Sequence, residues 1–142
     1  MKIRLTLIHV FLPLLFGGLF YICFRSDSLI MFRWFKLIYI NEYIDSLRSV
    51  FYSYKEFFPS WLFYSLPDGL WTYSFTSAIL LWNNDFQRRK YILIIPLFLS
   101  CGVEILQGLN MFRGTFDIQD LLFNLFSFFL SALILNKLKL LI

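Results

Sequence analysis

Along the chain, long uncharged runs alternate with short charged connections, and the runs have the length of helices rather than of strands. Leu5 to Phe24 contains no charged residue, and His9 is its one titratable interruption. At about 1.5 Å per residue, about 20 residues cover a bilayer core of about 30 Å, so residues 5–24 are expected to form a first membrane span. Residues 91–110, interrupted only by Glu104, and residues 121–136, without a charge, are expected to form two more. A shorter span is expected at residues 67–83, with Pro67 suited to a first helical turn and Asp68 close to the positive end of the helix dipole.

Residues 28–58 follow a different pattern. Ile30, Leu37, Ile44 and Phe51 recur at intervals of seven, while Arg33, Lys36, Asn41, Asp45 and Arg48 fall between them. That predicts amphipathic helices lying on a membrane surface, with Asn41 and Glu42 as a cap between two short ones. Trp34, Tyr39, Tyr43, Tyr52, Tyr54 and Trp61 suit an aromatic belt at the interface. The simpler alternative is that these helices only cover the bundle.

Composition agrees with the pattern: of 142 residues, 59% are hydrophobic, 22% aromatic and only 15% charged. A soluble domain carries far more charge. With no linker, repeat or low-complexity tract, residues 1–142 read as a single membrane domain, an all-α integral membrane bundle of about four transmembrane helices plus outer-surface amphipathic helices. Lys2 and Arg4 would also suit a signal peptide, but the apolar run is too long and no small-x-small cleavage site follows, which favours a retained helix.

Charge placement orients the bundle. Lys2, Arg4, Arg88, Arg89, Lys90, Lys137 and Lys139 lie in short termini or a short loop, which is expected to put both termini on the cytoplasmic side of the membrane. The same placement accounts for the net charge of +4 without nucleic acid, for which there is no basic stripe. Cys23 and Cys101 fit no metal spacing and read as buried free thiols unless their helices bring them to one depth. His9 reads as an interhelical hydrogen-bonding group, and Gly17-Gly18 as a weak signal for close helix contact. No metal and no cofactor are expected.

Glu104 and Gln107 share one face near the outer end of the third run, and Asp117, Asp120 and Asn124 share one face leading into the fourth. Asp68 enters from the same side, so these residues are expected to gather at the outer leaflet, with Arg113 reaching back over them to Glu104 or Asp120. Gly114 is expected to let that connection turn tightly. A carboxylate within a bilayer is costly unless paired, hydrated or protonated, so the cluster needs a reason to exist. It is either a polar clamp between helices or a ligand site.

Glu104-x-x-Gln107, Arg113, and Asp120-x-x-x-Asn124 opening a last apolar helix resemble the C-terminal signature of the VanZ-like family of small polytopic bacterial membrane proteins. Asp117 also matches some relatives. The resemblance covers about a quarter of the chain, and it departs at two places. Leu125, Phe126 and Ser127 stand where small residues are common, and the stretch from Leu66 to Ser74 keeps Asp68 but lacks the family's Asp-Lys-x-x-His. Founding members are linked to teicoplanin resistance, so the resemblance implies a role in the cell envelope and leaves substrate and mechanism open.

Three functions follow as expectations. The first is an accessory component of cell-envelope processes at the outer leaflet, with membrane lipids and a membrane-protein partner as its contacts. The second is an enzyme that binds or modifies an envelope lipid or lipid-linked glycan, with Arg113 gripping an anionic head group and Glu104 and Asp120 as candidates for proton exchange. The third is an oligomeric pore subunit built around Glu104. No nucleophile pairing of Ser or Cys with His is evident.

Overall fold

A computed structural model describes residues 2–83, 91–112 and 115–140. They are helical throughout, with no strand among them. Helix α1 runs from Lys2 to Phe24, α2 covers Ile30–Leu37, α3 Asn41–Tyr52, α4 Ser60–Trp82, α5 Ile94–Gly108 and α6 Ile118–Leu140; a single 3-10 turn, Lys55–Phe57, precedes α4.

The long helix α1 is not uniform. Leu7–Phe11 widens into a π turn, closed by the Leu12 N–H bonding the Leu7 carbonyl. Pro13 explains the widening: it has no N–H to offer, and its ring would crowd the carbonyl one turn back. The Val10 carbonyl in this turn accepts the Ser74 hydroxyl of α4 at 3.0 Å.

Helix α4 begins seven residues before its expected start at Pro67, because Pro59, extended at φ −67° and ψ 150°, already sets its first turn. Pro67 therefore lies inside the helix, and Asp68 sits beyond its second turn rather than at the dipole's positive end. Packing carries this helix through its proline. Its contacts with α6 and α1 are the most extensive in the molecule, and α5 leans on both α4 and α6. Ser77 bonds Ser131 of α6 at 2.9 Å, and the backbone of Gly69 passes so near that an added Cβ would stand 2.8 Å from the Ser127 hydroxyl. Toward α1, His9 shares a 2.7 Å hydrogen bond with the Tyr73 hydroxyl, and Gly17 lies under the indole of Trp71.

The interior is unusually polar and the exterior unusually apolar. Ser65, Thr72, Ser74, Thr76 and Ser77 of α4 are buried, while Leu15, Phe16, Trp82, Phe98, Phe126 and Phe129 are exposed. Two helices, Lys2–Phe24 and the Ile118–Leu138 stretch of α6, are long and apolar enough to cross a membrane; α5 is apolar but shorter.

The two helices between α1 and α4 differ from expectation in the position of their cap. Helix α2 stops at a left-handed Tyr39, φ 58°, whose N–H bonds the Lys36 carbonyl while the Ile40 N–H reaches Phe35. This helix stop divides the segment, and Asn41 is the first residue of α3 with Ile40 at the cap position. The heptad residues Ile30, Leu37 and Phe51 are exposed. Phe32 and Leu47 face inward instead, Leu47 packing on the Cys23, Phe24 and Phe63 cluster. Arg48 of α3 secures the contact with α1 by donating to the Ile22 carbonyl at 2.6 Å and the Arg25 carbonyl at 3.0 Å, with its guanidinium over the Phe32 ring.

Candidate functional site

A cavity of about 790 Å³ lies among α1, α4, α5 and α6. Asp68, Glu104, Gln107, Asp120 and Asn124 all line it, so residues from three helices meet as their spacing implied. Asp117 stands beside them, its backbone N–H donating to Glu104 Oε2 at 3.2 Å. Arg113, expected to be the partner of Glu104, and Gly114 lie outside the described residues.

Helix α5 ends in a defined stop. Asn110 takes the left-handed conformation at φ 57°, its N–H bonding the Gln107 carbonyl and the Met111 N–H bonding Leu106. This is a helix stop of the same kind as at Tyr39, in a residue that tolerates it well. It ends α5 just after Gln107, so Glu104 and Gln107 stand in its last turns. Asp117 caps α6 by accepting the Gln119 N–H at 2.8 Å.

Several polar groups are already engaged between helices. Asn124, 3% exposed, accepts the Thr72 hydroxyl at 2.8 Å and so ties α6 to α4. Glu104, 8% exposed, ties α5 to the start of α6. Asp120 is different: its Oδ1 is inaccessible and has no hydrogen-bond partner among the described residues. Asp68, Glu104 and Asp120 lie near enough for the charges of the latter two to act on Asp68.

Among the described residues, the cation facing these carboxylates is Arg25, which no motif in the sequence singles out. It lies just past the end of α1 and donates to Asp68 Oδ2 at 3.3 Å and to the Tyr64 carbonyl at 3.1 Å. The rings of Tyr21 and Tyr64 lie 4.8 and 5.1 Å from its guanidinium carbon. The signal was its position. A lone Arg closing a long uncharged run, with aromatic residues one turn before it, suits a helix C-terminus and can turn inward.

The rest of the cavity is mostly apolar, lined by Val10, Leu14, Phe75, Pro96, Leu99 and Val103, and the hydroxyls of Ser74 and Ser100 among them are turned to the Val10 and Pro96 carbonyls. Polar and apolar ends are therefore separated along the helix axes, as in a receptacle for an amphiphile. Cys101 is buried and unpaired, as is Cys23, and no three side chains of His, Cys, Asp or Glu among the described residues converge as a metal set. No family model, curated protein or solved structure matches the chain.

Proposed function

We propose that this chain is a VanZ-like integral membrane protein of four spans that serves cell-envelope processes as an accessory component, holding an amphiphilic molecule of the outer leaflet in the cavity. The observation that carries this reading is the graded lining, with Arg25 and three carboxylates at one end and an aliphatic and aromatic trough at the other.

Membrane placement has its own support. Hydroxyls and small residues meet inside while large apolar side chains point outward, the arrangement expected where lipid is the solvent and helices are held by close packing and interhelical hydrogen bonds. In water, the same exposed surface would be an aggregation hazard. Basic residues at both termini support a cytoplasmic position for those ends, with the polar end of the cavity, α2 and α3 then on the outer side. Helix α4 needs less apolar character than α1 or α6, because its neighbours shield much of it.

Native mass spectrometry of the full chain purified in mild detergent tests this function. A bound amphiphile should be retained, and Ala78→Phe or Val103→Trp, which fill the trough, should lower its occupancy several-fold without loss of folded protein. Absence of any bound amphiphile, or occupancy indifferent to both substitutions, overturns the reading.

An enzymatic role at the same place is favoured by one observation, the buried unpartnered oxygen of Asp120 beside Glu104, which is suited to taking a proton from a bound head group. Chemical conversion of the retained amphiphile, lost in Asp120→Asn while binding persists, would distinguish enzyme from carrier.

A further inference from the structure

We propose that α2 docks on the outer leaflet of the membrane that holds the bundle, its exposed apolar stripe among the acyl chains and Arg33 and Lys36 on the phosphates of anionic lipids. The proposal rests on the membrane placement above and is independent of the cavity; it adds a surface and the class of lipid that surface recognises.

Helix α2 is inside out for a helix in water. Ile30, Trp34 and Leu37, with Ile38 at its end, are 60%, 58%, 73% and 61% exposed. At about 100° per residue they share one arc about 100° wide. Phe32, the buried residue of α2, lies almost opposite, its ring against the Arg48 guanidinium. The face turned away from the bundle is therefore the apolar one. Arg33 and Lys36, one turn apart at the margin of that stripe, are exposed, and α2 carries no acidic residue. Neither cation reaches a carboxylate among the described residues, whereas Arg25, Arg48 and Lys55 are engaged by Asp68, by backbone carbonyls and by the Tyr64 hydroxyl.

An apolar stripe that contains an indole and is edged by basic residues is the pattern of a helix lying where head groups meet acyl chains. Long basic side chains keep their stems in the apolar layer while their charges reach the phosphates. A guanidinium matches a phosphate with two parallel hydrogen bonds, and an ammonium adds its charge. The chain holds α2 at that depth: five residues, 25–29, separate it from the end of α1, a helix long and apolar enough to span the bilayer. A lipid surface is already present at this level, so docking there requires no second protein. Anionic lipids are the better match, because a zwitterionic head brings its own ammonium to compete for the phosphate.

An eight-residue helix is marginal by itself, so the protection of its amides reports what it rests on. Hydrogen exchange of the full chain in nanodiscs reads that protection over residues 30–38. With phosphatidylglycerol mixed into phosphatidylcholine, these amides are expected to exchange about fivefold more slowly than in phosphatidylcholine alone, the scale of one basic side chain at an anionic surface. Arg33→Gln combined with Lys36→Gln should erase the difference, Arg33→Lys combined with Lys36→Arg should keep it, and added salt should shrink it. Trp34→Gln should speed exchange in both lipids. All three positions are exposed, so these variants are expected to keep the parent's fold. Equal exchange in the two lipids, or a difference that the double Gln variant retains, overturns anionic recognition. Protection that follows the number of chains per disc instead of the lipid assigns the face to a second copy and overturns the proposal, as does unprotected exchange in both lipids. These outcomes leave the cavity reading standing, whereas a chain that does not enter nanodiscs overturns the membrane placement and this proposal together.

Discussion

Arg25, just past the end of α1, and Asp68, inside α4, form an ion pair of 3.3 Å whose side chains are only 24% and 29% exposed. The pair joins two helices at the polar mouth of the cavity, and Arg25 also holds the Tyr64 carbonyl there.

Removing either partner should therefore do unequal damage. Asp68→Asn loses one charge-assisted bond, whereas Arg25→Gln also loses the Tyr64 contact and the two tyrosine rings. A double-mutant cycle read by thermal unfolding in detergent is expected to show a coupling of about 1 kcal/mol, between the values for exposed and buried pairs, with Arg25→Gln the costlier single change. Strict additivity would show that the pair contributes nothing.

The neighbouring glycines of α1 should behave oppositely. A Cβ on Gly17 would stand 2.6 Å from the Trp71 indole, whereas one on Gly18 meets nothing within 4 Å. Gly17→Ala should cost about 1 to 3 kcal/mol, and Gly18→Ala should be neutral or stabilising by up to about 1 kcal/mol. Equal melting temperatures for the two variants would contradict this packing.

Helix pinning belongs to Thr72 and Asn124 rather than to Asp120. Thr72→Val strands the buried Asn124 carbonyl oxygen and should lower stability by about 1 to 2 kcal/mol. Asp120→Asn, whose buried oxygen has no partner among the described residues, should leave the melting temperature nearly unchanged. A large stability loss from Asp120→Asn would mark that residue as a clamp.

Lys55 donates to the Tyr64 hydroxyl at 3.1 Å, and this bond holds its ammonium above the usual lysine range. A raised folded value means that the contribution is fully present below pH 10.5, the ordinary lysine value, and fades as pH rises beyond it. Lys55→Met should therefore melt slightly below the parent at neutral pH and together with it at strongly alkaline pH. A gap that persists there would point to lost packing instead.

Orientation can be checked by labelling. With Cys23 and Cys101 replaced, a cysteine at the exposed Ser49 should react with a membrane-impermeant maleimide added outside intact cells. Reaction only after the membrane is opened would invert the proposed topology.

Much of the architecture was legible because long uncharged runs of helical length stand out in the sequence. Spacing placed Glu104 with Gln107 and Asp120 with Asn124, since residues three or four apart share a helix face, and the order of the spans brought the two faces to one end, where the cavity joins them. What escaped depended on contacts distant in sequence. Pro67 looked like a helix start because nothing local shows that α1 and α6 hold α4 together through it. The heptad from Ile30 to Phe51 did not reveal that Phe32 and Leu47 are the residues that pack on the bundle, since the break at Tyr39 separates α2 from α3. Arg25 was hidden by its surroundings in the sequence, because its partner Asp68 lies 43 positions away.

Arg48 gives the outer layer a mechanical role. Its guanidinium grips the backbone oxygen of Arg25, while the side chain of the same Arg25 grips Asp68. One residue is thus a knot joining the surface helix α3 to the central helix α4. Any tilt of α3 would pull on the residue whose side chain holds Asp68 at the rim of the cavity.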